Sequence, residues 1–264
     1  MPLLLTVWLV VYPDECADRD ELLKNAYIAL REVQISGGNG YYFFDTLLQN
    51  TVQEKMRVAN DLREAVRQRE FLLYYQPKVE LLSGKITGFE ALIRWQHPKS
   101  GLVSPDRFIP IAERTGLILP IGEWVLQTAC QFIRRLRENG YRDLSIAVNI
   151  SGHQLMQQDF VEQITSIMES VGGVPAECLE LEITESVLLE NLDKHIGKIE
   201  RLRAMGIKIS LDDFGIGYSS LAYLKLLPVN TLKIDKQFID VGNLCPTTIL
   251  ARKRVRSNTG LSIQ

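Results

Sequence analysis

Acidic and amide side chains recur at the ends of short apolar runs in this chain, and their types suit the handling of hard cations and phosphate esters. The run 145–148 ends in Asn149; Leu179-Glu180-Leu181 leads to Glu182 and then Glu185; residues 207–211 run into Asp212-Asp213; Thr231-Leu232 ends in Lys233. A further run, 86–94, carries Glu90 and Arg94 within its own span. The steps from Asn149 to Glu182, from Glu182 to Asp212 and from Asp212 to Lys233 are each near one β/α repeat, so a wound sheet would bring these side chains to one mouth. Several carboxylates gathered there cannot all stay ionised without a compensating charge. Oxygen ligands of this kind suit Mg2+ or Mn2+, and paired ions can hold an attacking water and steady both oxygens of an in-line displacement at phosphorus.

Alternating strands and helices must position such a set. Strands are predicted over residues 71–79, 86–94, 144–150, 179–184, 207–211 and 231–234, with helices over 105–114, 121–138, 154–171, 188–205 and 219–226. Ser104 can cap a helix that begins at Pro105, while Gly116, Gly140 and Gly206 follow helix ends where a left-handed residue is wanted. The alternation predicts a parallel sheet with right-handed crossovers. Upstream, 6–11 reads as a strand and 20–33 as a helix with Leu22, Leu23, Ala26, Ala29 and Leu30 on one face. The turn Gly37-Gly38-Asn39-Gly40 and a short strand over 41–44 follow. Some forty residues cannot bury a core alone, so this piece reads as the end of a larger domain. Val52, Met56, Ala59, Leu62 and Val66 describe a joining helix over 51–69.

The same residues carry a family resemblance. Phe89-Glu90-Ala91-Leu92-Ile93-Arg94, Val148-Asn149-Ile150-Ser151, Glu182-Ile183-Thr184-Glu185-Ser186, Asp212-Asp213-Phe214-Gly215-Ile216-Gly217-Tyr218-Ser219-Ser220 and Lys233-Ile234-Asp235 resemble, in order, motifs of the EAL-domain cyclic di-GMP phosphodiesterases. The resemblance implies a TIM-like (β/α) barrel that hydrolyses cyclic di-GMP to linear pGpG with Mg2+ or Mn2+ at a two-metal site. It assigns Glu90, Asn149, Glu182 and Asp212 to the first metal, and Asp212 with Asp213 to the second. Lys233 would orient or polarise the attacking water, and Arg94 would pair with substrate phosphate, a task its fork geometry suits. Glu185 would anchor the loop 213–220, whose two glycines permit a tight backbone path. Gln76, in Tyr75-Gln76-Pro77, would face the ligand.

The N-terminal piece is similar to the closing segment of a GGDEF diguanylate cyclase domain through Val11-Tyr12-Pro13-Asp14 and the helix near 22–30; that family's nucleotide signature is not in this sequence, which argues against cyclase activity. The expected division is therefore a GGDEF-like remnant over 1–50, a linker helix over 51–70, a partial barrel over 71–240 and an irregular tail over 241–264. About six of the eight strands, in fewer than the about 250 residues such a barrel takes, are expected. Past Asp240 the resemblance stops, the family's later acid and glutamine motifs are not found, and Arg252-Lys253-Arg254 with Arg256 mark a change of character. A truncated or shifted reading frame, impaired stability and lost turnover are the expectation, with unpaired sheet edges that favour association with another chain, including a homodimer.

Composition limits the alternatives. The 264 residues, 46% of them hydrophobic, are enough for a real core, and a formal charge of -2 gives no field for a nucleic-acid polymer or an anionic membrane. Cys16, Cys130, Cys178 and Cys245 lack zinc or disulfide spacing, which fits a reducing cytoplasm. The apolar start over 1–11 is too short to span a bilayer and has no basic lead, so it reads as a buried strand. His97, His153 and His195 stand in separate contexts as surface or core residues, and Trp8, Trp95 and Trp124 read as core. The basic tail, without interleaved aromatics, reads as a solvated end. Against the phosphodiesterase stand a catalytically inactive module that binds cyclic di-GMP or a protein partner, and a damaged fragment.

Overall fold

The computed structural model describes residues 6–9, 18–35, 40–43, 46–215, 227–234 and 262–263, and the chain divides into two compact units, 1–64 and 65–264. In the first, β1 (Thr6–Leu9) pairs in parallel with β2 (Gly40–Phe43) through the helix α1 (Arg19–Ile35), a single βαβ turn. On α1 the expected apolar face is only partly kept: Leu23 is exposed, and the polar Asn25 is buried. The helix α2 (Thr46–Gln68) starts in this unit and ends in the second, longer than the predicted joining helix.

Among its described residues the second unit holds eight strands. In chain order they are β3 (Phe71–Val79), β4 (Ile86–His97), β5 (Gly101–Val103), β6 (Ser145–Asn149), β7 (Leu179–Thr184), β8 (Lys208–Phe214), β9 (Thr231–Ile234) and β10 (Ser262–Ile263). Strands β4, β6, β7, β8 and β9 are parallel neighbours in sequence order, the winding of a β/α barrel. The wholly parallel sheet expected from the alternation is corrected at its start, because β3 pairs antiparallel with β4 and β5 returns antiparallel on β4. Physical length explains it: residues 80–85 join β3 to β4, and a parallel crossover needs a dozen residues or more. At the other end of the order the two-residue β10 pairs in parallel with β9, within the stretch expected to be irregular.

Amphipathic helices cover the sheet. These are α3 (Pro105–Thr115), α4 (Ile118–Glu138), α5 (Gly152–Met156), α6 (Phe160–Ser170), α7 (Glu185–Glu190) and α8 (Leu192–Ala204). Along α4 the residues Ile118, Ile121, Val125, Leu126, Ala129 and Ile133 are buried at helical spacing, the stripe that packs on a sheet. Two predicted helices are each broken in two. One breaks after Met156, where Gln157 turns extended, and the other at Asn191, whose φ of -143° and ψ of 48° leave the helical region. Ser104 does stand before Pro105, but its side chain accepts no capping bond, contrary to expectation. Gly116, Gly140 and Gly206 have φ of 73°, 94° and 97°, the left-handed ends foreseen for them. Phe71, Trp95, Phe108 and Trp124 form an aromatic core cluster with ring centroids 5.7–6.4 Å apart. No helix among the described residues is long and apolar enough to cross a membrane. The predicted helix over 219–226 and most of the tail over 241–264 lie outside the described residues.

Candidate active site

Parallel register sets the acidic residues in a stagger of two residues, Glu90 pairing with Ala147 and Glu182 with Ser210, with Asn149 and Glu182 level. Asn149 of β6 is the register partner of Glu182 on β7, and Thr184 beside it pairs with Asp212 on β8. Asn149 Nδ2 donates to Glu90 Oε1 at 3.0 Å, across the β4–β6 pair. Lys233 then draws the set together: its Nζ donates to Glu182 Oε2 at 2.7 Å, Asp212 Oδ2 at 2.9 Å and Glu90 Oε2 at 3.2 Å. In a flat sheet β9 and β4, four strand spacings apart, would be separated by roughly 19 Å. Direct contact between Lys233 and Glu90 therefore requires the sheet to curl on itself, so the barrel curvature assembles the site.

Burial and charge oppose each other in this cluster. Removal from water raises the pKa of Glu182, Lys78 and Lys233 pull it back, and Glu90 pushes it up again; the net direction is upward. For Lys233, burial alone would lower the pKa, but Glu182 above all, with Glu90 and Asp212, outweighs it, so the group is held as an ammonium and a hydrogen-bond donor.

The bulge in the β8–β9 ladder explains how two consecutive aspartates can serve one place. Register shifts between Leu211 and Phe214, leaving one extra residue on β8 at Asp212-Asp213. Asp213 has a φ of 54°, a left-handed conformation that Asp tolerates better than most residues, and its amide donates to Asp212 Oδ1 at 3.0 Å. The buried Glu185, first residue of α7, accepts from the Gly215 amide at 3.2 Å through Oε2, which ties the start of the segment after Asp213 to β7's end. The remainder of that predicted loop, 216–220, lies outside the described residues.

Two expected ligand-facing residues stand apart from the cluster. Gln76 on β3 is directly across from Glu90 in the antiparallel ladder, on the same face of the sheet. Arg94 lies four residues beyond Glu90 on β4; its guanidinium sits over the Tyr74 ring at 5.3 Å and donates to the Ile93 carbonyl at 2.7 Å. It lines a cavity of about 370 Å³ with Leu102, Ser104, Pro105 and Asp106. The histidines hold no shared site: His97 accepts from the amides of Lys99 and Ser100, His153 is exposed on α5, and His195 is buried on α8.

Sequence reasoning passed over a second lysine. Lys78 on β3 reaches Glu180 Oε2 at 3.0 Å and Glu182 Oε1 at 2.8 Å, and Ser210 Oγ donates to Glu180 Oε1. The available signal was Glu180 and Glu182 at i and i+2, which puts both acids on one face of a strand whose residues Leu179–Ile183 are all buried. Buried acids at that spacing require cations of their own.

Four carboxylates, Glu90, Glu180, Glu182 and Asp212, thus meet two ammonium groups, an excess of two formal negative charges. That is the charge of one divalent cation, and the donors are the hard oxygens such ions prefer. Among the described residues no group of three His, Cys, Asp or Glu side chains stands at metal-coordinating spacing; Glu90, Glu182 and Asp212 share the Lys233 ammonium, at 2.7–3.2 Å.

Known proteins of one family resemble this chain. The EAL domain model matches residues 59–257, wider at both ends than the motifs read from the sequence. The chain is 42% identical over 235 residues to the bifunctional diguanylate cyclase/cyclic di-GMP phosphodiesterase MucR of Pseudomonas aeruginosa, covering 89% of this chain and 34% of MucR. It is 41% identical over 234 residues to the cyclic di-GMP phosphodiesterase NbdA of the same organism, covering 89% of this chain and 30% of NbdA. It spans about a third of the length of these relatives. The solved structure of the PaMucR phosphodiesterase in complex with c-di-GMP superposes with a TM-score of 0.73 at 41% identity, covering 78% of this chain and 85% of that one. On the breadth of the family match and on these identities, the chain belongs to the EAL domain family.

Proposed function

We propose that the second unit hydrolyses cyclic di-GMP to linear pGpG, as a phosphodiesterase in bacterial second-messenger signalling. The observation that carries this reading is the meeting of Glu90, Asn149, Glu182, Asp212 and Lys233, from five strands, at one point inside the curled sheet. Membership of the EAL family and the likeness to phosphodiesterase relatives support it. Because pGpG keeps its phosphate on the 5′ oxygen, the reaction breaks one P–O3′ bond, adds a water oxygen to phosphorus and returns a proton to O3′.

In this reading Glu90, Asn149, Glu182 and Asp212 hold one Mg2+ or Mn2+, and Asp212 with Asp213 holds a second. Bound there, the ions would supply the positive charge and Lewis acidity that attack on a phosphodiester requires. Lys233, held as a donor, orients the water and offsets charge that develops on the phosphate. Arg94 swings from the Tyr74 ring toward a substrate phosphate, which its paired N–H groups can clasp in two places. Gln76, across from Glu90, faces the nucleotide, and Glu185 fixes the covering loop through the Gly215 amide.

The wider reading sets the chain in the cytoplasm, with residues 1–50 as the end of a GGDEF-like domain, residues 51–70 as the linker and 71–240 as the catalytic barrel. Cyclic di-GMP is its partner, association into a homodimer is compatible with the edge strands β3 and β10, which have no further partner strand among the described residues, and nucleic-acid polymers are disfavoured by a net charge of -2.

Incubation of the purified chain with cyclic di-GMP and Mn2+ or Mg2+, followed by chromatography of the nucleotides, tests the proposal. Linear pGpG that is lost in Glu90→Ala and Lys233→Met supports it. Calorimetric binding with no product at any enzyme concentration replaces it by the inactive binding module, and neither binding nor product removes both.

A further inference from the structure

Lys78 has no part in the roles just given, yet it is the second cation of the buried cluster. It leaves β3 where the β3–β4 ladder shifts register, opposite Gly88. From the first strand of the order its ammonium reaches β7, which in a flat sheet would lie three spacings, or roughly 14 Å, away. The side chain therefore crosses the interior of the barrel. It ends on two carboxylates with almost no exposure of their own, Glu180 and Glu182.

We propose that Lys78 is a positioning residue for Glu182: it fixes Oε1, so that Oε2 is presented to the mouth, and Glu180, itself held by Ser210, keeps Lys78 in place. The division of contacts carries the argument. Glu182 Oε1 is 2.8 Å from Lys78 and Oε2 is 2.7 Å from Lys233, one ammonium for each oxygen. The terminal torsion of a glutamate is broad and two-fold, so a carboxylate with one anchored oxygen has a defined orientation that an unanchored one lacks. Glu182 has no solvent-exposed side-chain surface, so water cannot take over the anchor if Lys78 is removed. Partners behind a metal ligand typically change metal affinity or activity by about 10–100-fold.

This inference rests on the reading of Glu182 as a metal ligand, and the sign of one measurement separates positioning from plain electrostatics. Deleting a positive charge beside anionic ligands would by itself tighten Mn2+ binding; loss of orientation weakens it. Lys78→Met with Glu180→Gln removes one charge of each sign, leaves the formal balance unchanged and so isolates orientation. Mn2+ titration by calorimetry and by the electron paramagnetic resonance signal of free Mn2+ is run on the parent chain, on Lys78→Met and on the double variant, with a thermal melt of each. Mn2+ bound about 10-fold or more weakly by the double variant, with kcat for cyclic di-GMP reduced more than KM is changed, is the expected result.

Affinity and kcat equal to the parent's in the double variant would show that Lys78 serves only to neutralise charge and would overturn the proposal. Tighter Mn2+ binding by Lys78→Met would do the same. A parent chain that binds no Mn2+ overturns this inference together with the metal assignment, whereas a binding parent and an unaffected double variant overturn this inference alone. If both lysine variants fail to fold, Ser210→Ala deletes only a hydroxyl behind Glu180: weaker Mn2+ binding supports the proposal, and parental affinity overturns it.

Discussion

Gly88→Ala tests how closely the barrel's strands are set around the site. Gly88 lies on β4 two residues before Glu90, and its register partner is Ser145 on β6. A Cβ at this position would stand 2.5 Å from Ser145 Oγ, 2.6 Å from the Ser145 carbonyl oxygen and 3.2 Å from its carbon. Two of those three atoms are backbone inside a hydrogen-bonded ladder, so the strands themselves must part. Overpacking of this sort costs about 1–3 kcal/mol, while alanine regains about 0.5–1 kcal/mol over glycine in a strand. The net loss is then up to about 2.5 kcal/mol. At about 2–4 °C per kcal/mol for a unit of this size, the melting temperature falls by up to about 10 °C.

Urea denaturation and thermal melts followed by circular dichroism give the number, and Ser145→Ala apportions it. That change removes the Oγ contact and leaves the carbonyl contact, so Gly88→Ala/Ser145→Ala recovers only part of the loss. Parting β4 from β6 also lengthens the 3.0 Å bond from Asn149 to Glu90, so turnover falls even where the variant is fully folded. A Gly88→Ala chain as stable and as active as the parent would refute the claim that this glycine sets the strand spacing. Complete recovery in the double variant would refute the part assigned to the carbonyl.

Three further outcomes follow from the core. Phe108, fully buried against Phe71 and Trp95, should cost about 3–5 kcal/mol as Phe108→Ala in urea denaturation, and a loss under about 1 kcal/mol would count against the aromatic cluster as a centre of stability. His195 is buried, with Nδ1 unpartnered among the described residues; burial, then Lys198 and Lys194, lower its pKa, so the folded chain keeps it neutral while the unfolded chain takes up a proton near its ordinary value of about 6.5. Stability should therefore decline as pH falls below about 6.5, and His195→Leu should flatten that slope; an unchanged slope assigns the decline to other groups. Burial pushes the Cys130 thiol up to about 12, so with Cys16, Cys178 and Cys245 replaced by serine, Ellman's reagent at pH 8 should label Cys130 only on unfolding, and rapid native labelling would contradict its burial.

Much of this fold could be read from period and punctuation. Strands 179–184 and 231–234 were bounded as found, since each is a short apolar run flanked by breaks. The divided helices escaped because apolar spacing continues through the breaks: Leu155 and Phe160 are both buried although Gln157 between them is extended. Antiparallel pairing of β3 was legible in principle from the six-residue connection, but the alternation of strands and helices concealed it. For the site, strand-end position pointed to Asn149, Glu182, Asp212 and Lys233, because parallel register fixes where strand ends fall, whereas Glu90 lies within β4 and was marked by its motif. Arg94 shows the limit: sequence places its Cα on β4, but packing against Tyr74 chooses the direction of its guanidinium. Lys78 shows another, since its partners belong to a strand three places away in the sheet.

The two lysines bear on why a buried charged cluster is compatible with this barrel at all. Moving a carboxylate such as Glu182 out of water is expensive, and a single partner seldom offsets it, so an isolated Glu182 would oppose folding. Lys78 comes from β3 and Lys233 from β9, on opposite sides of β7 in the strand order, and both end on Glu182. The Lys78 contact, three strand spacings away, cannot form until the sheet has curled, so charge compensation and curvature arise together: a flat sheet leaves Glu180 without an ammonium and Glu182 with one fewer, and is disfavoured by that. A one-residue slip of β7 would also turn both acids away from the lumen and put Leu179, Leu181 and Ile183 in their place. The cluster thereby discriminates between registers more sharply than an apolar interior of equal volume would, and the arrangement that satisfies it is the one that presents Glu182 Oε2, Glu90 and Asp212 to a common cation.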